Sequence, residues 1–85
     1  NILIVCTANI NRSYMAERIL KGHLKKGGEK HIHVSSAALL DMKGADADPV
    51  AAGLLMENGY DGSGHRSSFL TARQIDQADL ILVLE

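Results

Sequence analysis

The stretch Ile2-Leu3-Ile4-Val5-Cys6-Thr7-Ala8-Asn9-Ile10-Asn11-Arg12-Ser13 decides the fold of this chain. It opens with a short apolar run rich in β-branched residues, which predicts a strand from Ile2 to Val5 that is covered on both faces in a parallel sheet. A loop follows, and apolar residues at helical spacing then predict a helix from Ser13 to about Lys26, with the charged Glu17 expected to face away from its apolar side. Where a helix follows a strand after a short loop, backbone N–H groups and the positive end of the helix dipole point to the same place. That place suits a phosphate or a similar oxyanion.

Cys6 lies where this oxyanion would bind. The positive electrostatic potential that attracts an anion to this loop also stabilises a thiolate, because cysteines at helix N-termini beside arginine have low pKa values. The planar guanidinium of Arg12 has the geometry to bind two oxygens of the anion. A lone cysteine is more often core filler, but the Arg12-Ser13 pair at this spacing after a strand favours a reactive thiol. With one cysteine the chain has no internal disulfide, which fits a reducing compartment.

The rest of the chain continues the alternation of strands and helices. Asp48 is predicted to cap the second helix, with Pro49 at its first position, and Thr71 to cap a brief third helix. This order predicts an α/β fold with right-handed crossovers. The further predicted elements are a strand from His31 to Ser36, a helix from Asp48-Pro49 to Asn58-Gly59, a short helix from Thr71 through Gln77, and a strand from Asp79 to Leu84.

Composition excludes several classes of function. The chain has 85 residues, enough for a single domain, and a net charge of −1 with dispersed Lys and Arg, so we expect no nucleic-acid partner. Its apolar runs are too short to span a membrane and no secretory leader opens it, so we expect no membrane partner and a cytoplasmic location. The spacing of His23, His31 and His33 does not indicate a metal site.

The motifs along the chain, taken in order, resemble those of the low-molecular-weight protein tyrosine phosphatases. The family's loop is a cysteine, five residues and Arg-Ser, which here runs from Cys6 to Ser13. Further matching segments span nearly the whole chain: Met15-Ala16-Glu17, Val34-Ser35-Ser36-Ala37-Ala38, Asp48-Pro49, Ser63-Gly64-His65-Arg66 and Ala78-Asp79-Leu80-Ile81-Leu82-Val83-Leu84.

The resemblance implies a flavodoxin-like parallel sheet flanked by helices, with strand order 2-1-3-4, of which this chain carries the first three strands. Residues 1–85 would then be a single, incomplete domain. The family's general acid is an aspartate in an Asp-Pro-aromatic loop expected beyond residue 85. Asp48-Pro49 matches a different family position.

The resemblance also assigns roles in the site. Cys6 would be the nucleophile that forms a phosphocysteine, Arg12 would stabilise the transferring phosphoryl group, and Ser13 would hydrogen-bond the thiolate, although Ser13 also fits an ordinary helix cap. Neither a cofactor nor a metal is implied. The phosphate-binding residues would be Thr7, Ala8, Asn9, Ile10, Asn11, Arg12 and Ser13.

Three further residues are expected to shape the loop. Asn9 matches an asparagine that the family places in the left-handed backbone conformation, and Ser36 and His65 match residues that hydrogen-bond it. Without the resemblance, His65 reads as a partly exposed turn residue. Two departures are that Ala8 replaces a glycine, which would crowd the loop at positive φ, and that Tyr14 replaces a proline.

Four functions remain open. Ile10 favours a tyrosine phosphatase, whereas Ser67-Ser68 favours an arginine phosphatase. An arsenate reductase needs a further cysteine where the chain has Glu85, and a non-catalytic phosphate-binding remnant is the fourth reading. The expected partners are a phosphorylated protein or small phosphomonoester and inorganic phosphate. Leu40 and Met42 stand in the substrate-facing loop where an aromatic wall is common, so stacking on a phosphotyrosine ring is expected to be weaker.

Overall fold

Three parallel strands form one sheet with helices packed against it. In the computed structural model, which describes residues 1–84, the strand order is β2-β1-β3, and both β2 and β3 run parallel to β1. This confirms the predicted α/β fold with the first strand between the second and third. The elements are β1 (Ile2–Cys6), α1 (Arg12–Lys26), β2 (Val34–Ala38), α2 (Pro49–Glu57), α3 (Ala72–Gln77) and β3 (Leu80–Val83).

The central strand β1 places Cys6 at the carboxyl edge of the sheet. Leu3 and Val5 are buried on one face of β1, where they form a core cluster with Ala37 of β2. Cys6 is the last residue of β1, pairs with Ala38, and is itself buried. The carboxyl edge of a parallel sheet is where ligands bind in open α/β folds. The cysteine therefore stands at the position where the topology favours a site.

The second strand lies further along the chain than the predicted His31 to Ser36, which was wrong at both ends. The residues of β1 from Ile2 to Cys6 lie opposite Val34 to Ala38. His31 and His33 are exposed and precede the strand, because no residue of β1 lies opposite them. The ends of β2 are set by its pairing with β1. The alternation of apolar and polar residues within β2 carries no information about that pairing.

A second core cluster joins α1 to α2. Tyr14 is completely buried and packs with Ala51 and Leu55. Its hydroxyl donates to the carbonyl of Gly62 at 2.5 Å, and its ring lies 4.4 Å from the ring of His65, centroid to centroid. A Cβ at Gly62 would collide with the Tyr14 hydroxyl, so a larger residue there would require the buried Tyr14 ring to shift. The residue that replaces the family's proline is therefore the largest fully buried side chain among residues 1–84.

Both predicted helix caps are present. An Asp48 carboxylate oxygen accepts from the N–H of Ala51 at 3.1 Å at the start of α2. Thr71 and Gln74 form a capping box at the start of α3, in which each side chain accepts from the other residue's backbone N–H. Asp48 is thus engaged in holding a helix, as its sequence position predicts.

Exposed apolar side chains lie on β3, on α2 and in loops, and Val50 and Met56 of α2 are the most exposed of them. All four residues of β3 are exposed, as is Phe69 in the loop before α3. Within residues 1–84 no helix has the length and hydropathy needed to cross a bilayer.

Candidate active site

The loop between β1 and α1 runs from Thr7 to Asn11, at the carboxyl end of the central strand. Asn11 is the N-cap residue of α1, but its side chain makes no capping hydrogen bond. The first N–H groups of a helix have no intrahelical partner, so they need a cap, water or a ligand. The start of α1 is therefore open to an anion.

Every carbonyl of the loop from Cys6 to Asn11 is hydrogen-bonded by a donor outside the loop. These donors come from α1, from the segments that follow β2 and precede α2, and from the turn around residue 66. Because the carbonyls are bonded elsewhere, the loop's N–H groups remain for the Cys6 sulfur, to which the Asn9 N–H donates, and for a ligand. The bonds are Leu39 N to Cys6 O and Leu40 N to Thr7 O at 3.0 Å, Ser67 Oγ to Ala8 O at 2.7 Å, His65 Nε2 to Asn9 O at 2.6 Å, Asp48 N to Ile10 O at 2.9 Å, and Met15 N to Asn11 O at 2.8 Å.

Asn9 is the buried centre of this loop. Its φ is 56°, the left-handed conformation that the resemblance implies, whereas Ala8 is not at positive φ, so its Cβ does not crowd the loop. The Asn9 side-chain nitrogen donates to the hydroxyls of Ser13 and Ser36, both at 2.8 Å, and its oxygen accepts from the Ser68 N–H at 3.0 Å. Asn9 therefore ties the loop to α1, to β2 and to the segment before α3.

Cys6 is surrounded by donors. Its Sγ lies 2.9 Å from the Ser13 hydroxyl and accepts from the Asn9 N–H at 3.3 Å. Burial raises the pKa of the Cys6 thiol, but the Ser13 hydroxyl and the N–H groups of Ser13, Asn9 and Ala8 together lower that pKa below its ordinary value. The arrangement favours a thiolate at the open end of a helix.

The other candidate residues lie at the rim of the loop or in its support. Thr7, Asn11 and Arg12 are exposed, with Arg12 at the first position of α1. Ser36 and His65 both contact Asn9, the first through the side chain and the second through the backbone carbonyl. Residues 1–84 contain no group of three His, Cys, Asp or Glu side chains placed to hold a metal. Glu85, which bears on the reductase reading, lies outside the described residues.

A model of the family described as "Low molecular weight phosphotyrosine protein phosphatase" matches residues 1–85. The chain belongs to this family. It is 39% identical over 84 residues to a probable low molecular weight protein-tyrosine-phosphatase, EpsP, of Ralstonia nicotianae, and the match covers 99% of this chain and 54% of that protein. The chain thus spans about half the length of its phosphatase relative.

Solved phosphatase structures share the fold. A Drosophila arginine phosphatase superimposes with a TM-score of 0.92 at 28% identity, covering 99% of this chain and 54% of the other. The Vibrio vulnificus Wzb structure, solved with benzylphosphonate, superimposes with a TM-score of 0.86 at 38% identity, covering 99% of this chain and 57% of the other. The similar proteins thus include one named as a tyrosine phosphatase and one named as an arginine phosphatase.

Two residues that support the phosphatase loop were missed by sequence reasoning. Glu17 was expected to face away from the apolar side of α1, yet it is 5% exposed and its carboxylate accepts from the Ser36 hydroxyl. The Ser67 hydroxyl, which figured only in the choice of substrate, donates to the Ala8 carbonyl. The only signal for Glu17 was its place in the family motif Met15-Ala16-Glu17, because helical periodicity puts a charged side chain outside.

The lowered pKa of the Cys6 thiol predicts how its reactivity depends on pH. We expect the rate of Cys6 alkylation by iodoacetamide to reach half its maximum at a lower pH in the folded protein than in the denatured chain, and Ser13→Ala to move that midpoint upward. Because the folded pKa is the lower one, ionisation contributes stability above the unfolded pKa, and this contribution is lost as the pH falls through the folded pKa. Equal midpoints for folded and denatured protein would contradict the described donors.

Proposed function

We propose that the protein is a cysteine-dependent tyrosine phosphatase that hydrolyses phosphomonoesters through a phosphocysteine on Cys6. In this proposal residues 1–85 are part of a single phosphatase domain. The observation that carries it is the loop whose carbonyls are all held outward, around a thiol with a lowered pKa. Such a loop is complementary to a phosphoryl group, and such a thiol is a nucleophile near neutral pH.

In the first step the phosphate is held by the N–H groups of the loop and by the Arg12 guanidinium. The Cys6 thiolate attacks phosphorus, so that an S–P bond forms while the O–P bond to the substrate breaks. The leaving oxygen needs a proton. Asp48 is engaged in capping α2, which supports the expectation that the general acid comes from outside these 85 residues.

In the second step water attacks the phosphocysteine, and the S–P bond breaks to release phosphate. The departing thiolate is stabilised by the Ser13 hydroxyl, which lies 2.9 Å from Sγ. A hydrogen bond to the charged form of a leaving group lowers the barrier to its departure. The proposed chemistry uses neither a metal nor a cofactor.

Exposed apolar side chains beside the loop support an aromatic substrate. Leu39 and Leu40 are 52% and 55% exposed, and their N–H groups are hydrogen-bonded to the carbonyls of Cys6 and Thr7. A phosphotyrosine ring placed between such side chains would bury apolar surface. The benzylphosphonate in the Wzb structure combines the same two groups, a ring and a phosphoryl mimic.

An arginine phosphatase is the second candidate, favoured by the likeness to the Drosophila enzyme and by Ser67-Ser68. However, the Ser67 hydroxyl donates to Ala8 O and the Ser68 N–H donates to Asn9 Oδ1. Both bonds support the loop, which either substrate requires. The serine pair therefore does not discriminate. Ile10 and the apolar contact that the exposed leucines offer in place of ring stacking support phosphotyrosine.

A phosphorylated protein or small phosphomonoester is the proposed substrate and inorganic phosphate the product. A nucleophilic thiol has to stay reduced, which supports a cytoplasmic location. The net charge of −1 with dispersed basic residues supports the absence of a nucleic-acid or membrane partner.

Turnover of two peptides of identical sequence, one carrying phosphotyrosine and the other phosphoarginine, tests the proposal on the complete domain. We expect a higher kcat/KM for phosphotyrosine, and a Leu40→Ala variant to lower that value more than the value for phosphoarginine. A higher kcat/KM for phosphoarginine would assign the second candidate. If neither peptide turns over while inorganic phosphate still raises the melting temperature, the chain is a non-catalytic phosphate-binding protein.

A further inference from the structure

Resting on the proposed phosphatase function, we infer that Glu17 is a positioning residue, which sets the direction of a hydrogen-bond chain ending at Cys6. The chain runs from the Glu17 carboxylate through Ser36, Asn9 and Ser13 to the Cys6 sulfur. It crosses from α1 to β2, into the loop, and back to α1. All five residues are buried.

The direction of each bond follows from the chemistry of its ends. An ionised carboxylate only accepts, so Ser36 donates its one hydroxyl hydrogen to Glu17 and accepts from Asn9. The Asn9 amide has two N–H hydrogens, which go to the Ser36 and Ser13 hydroxyls at 2.8 Å each. Ser13 therefore uses a lone pair toward Asn9 and has its hydrogen free for the Cys6 sulfur.

Glu17 is held ionised although it is buried. Burial raises the pKa of its carboxyl group, but hydrogen bonds from Lys21 and Ser36 and the positive charges of Lys21 and Arg18 outweigh burial and lower the pKa. The Lys21 Nζ lies 2.8 Å from Oε2, and the Arg18 Nε lies 3.3 Å from the same oxygen without the alignment of a hydrogen bond. One carboxylate oxygen thus faces two cations while the other faces Ser36.

Glu17→Gln disturbs this arrangement with little change in shape. An amide has one acceptor oxygen, and the two cations draw it to their side, so the amide NH2 turns toward Ser36. The Ser36 hydroxyl then meets donors from two sides, and its own hydrogen loses its acceptor in a buried place, which weakens the anchor of Asn9. We expect alkylation of Cys6 by iodoacetamide, at a pH below the midpoint, to slow about fivefold.

The sign of the change separates this role from a direct charge effect. Glu17 carries a negative charge, so removing it acts through space to favour the Cys6 thiolate and to speed alkylation. A slower reaction requires the hydrogen-bond chain. Equal or faster alkylation in Glu17→Gln would overturn the inference.

The remaining variants show whether Glu17 acts through Ser36. In a Ser36→Ala background, Glu17→Gln is expected to cause no further slowing, because only the through-space charge effect remains, and a repeated fivefold slowing there would overturn the inference. Glu17→Asp provides a second test if the glutamine variant does not fold. It keeps the negative charge but draws the carboxylate oxygen away from the Ser36 hydroxyl, so we expect slower alkylation of Cys6. An unchanged rate would overturn the inference. Glu57→Gln, the same substitution at an exposed glutamate of α2, is the matched control and leaves the rate unchanged. Because alkylation of Cys6 does not depend on turnover, it tests the hydrogen-bond chain from Glu17 separately from the proposed phosphatase function.

Discussion

Replacement of Cys6 by serine is expected to lower turnover of p-nitrophenyl phosphate by at least about a thousandfold. A serine hydroxyl stays protonated where the cysteine is a thiolate, so the nucleophile is lost while the loop is not. The partner at 2.9 Å, the Ser13 hydroxyl, remains available to the new hydroxyl. Intact mass of the protein and steady-state turnover are the measurements.

Phosphate binding provides the control for this variant. The Cys6 thiolate repels a bound dianion, and the neutral serine removes that repulsion. Inorganic phosphate is therefore expected to raise the melting temperature of Cys6→Ser at least as much as that of the unchanged protein. Turnover that survives the substitution would show that another residue is the nucleophile.

Replacement of Asn9 by alanine is expected to lower the free energy of unfolding by about 2–4 kcal/mol and turnover by about a hundredfold. The substitution puts a Cβ-bearing residue that lacks local hydrogen bonds at φ 56° and removes three hydrogen bonds of the buried side chain. Urea unfolding and p-nitrophenyl phosphate turnover measure the two effects.

Asn9→Gly is the matched variant, because glycine adopts the left-handed conformation without strain. We expect it to recover about 1 kcal/mol of the lost stability relative to alanine while turnover stays low, since the bonds to Ser13 and Ser36 are still missing. Recovery of turnover in the glycine variant would mean that the backbone conformation alone shapes the site.

What the sequence predicted well is local. The apolar run of β1, the loop and the helix that follows it lie within one continuous segment, and the caps Asp48 and Thr71 act on N–H groups three residues away. Periodicity and capping preferences describe contacts at this range. The strand order came from the family resemblance, and the structure agrees with it.

What the sequence did not predict depends on contacts between distant residues. The first residue of β2 is set by its partner in β1, and the hydroxyl of Ser67 reaches the loop from 59 positions away. Glu17 was placed outside because a charge on a helix is usually solvated. Lys21 and Arg18 lie on the same helix as Glu17, but the hydroxyl of Ser36, which also binds the buried carboxylate, is brought there only by the fold. Tyr14 was read as a missing proline and proved to be a core residue.

The hydrogen bonds to the carbonyls of the loop couple anion binding to distant segments of the fold. The N–H groups of Leu39, Leu40 and Asp48 have their acceptors in the loop, so their exchange with solvent requires the loop to open. An oxyanion that favours the closed loop makes such opening rarer and thereby slows deuterium uptake at these amides, although none of them belongs to the loop. Bound phosphate is thus expected to slow deuterium uptake in the segments after β2 and before α2, at amides that it does not contact.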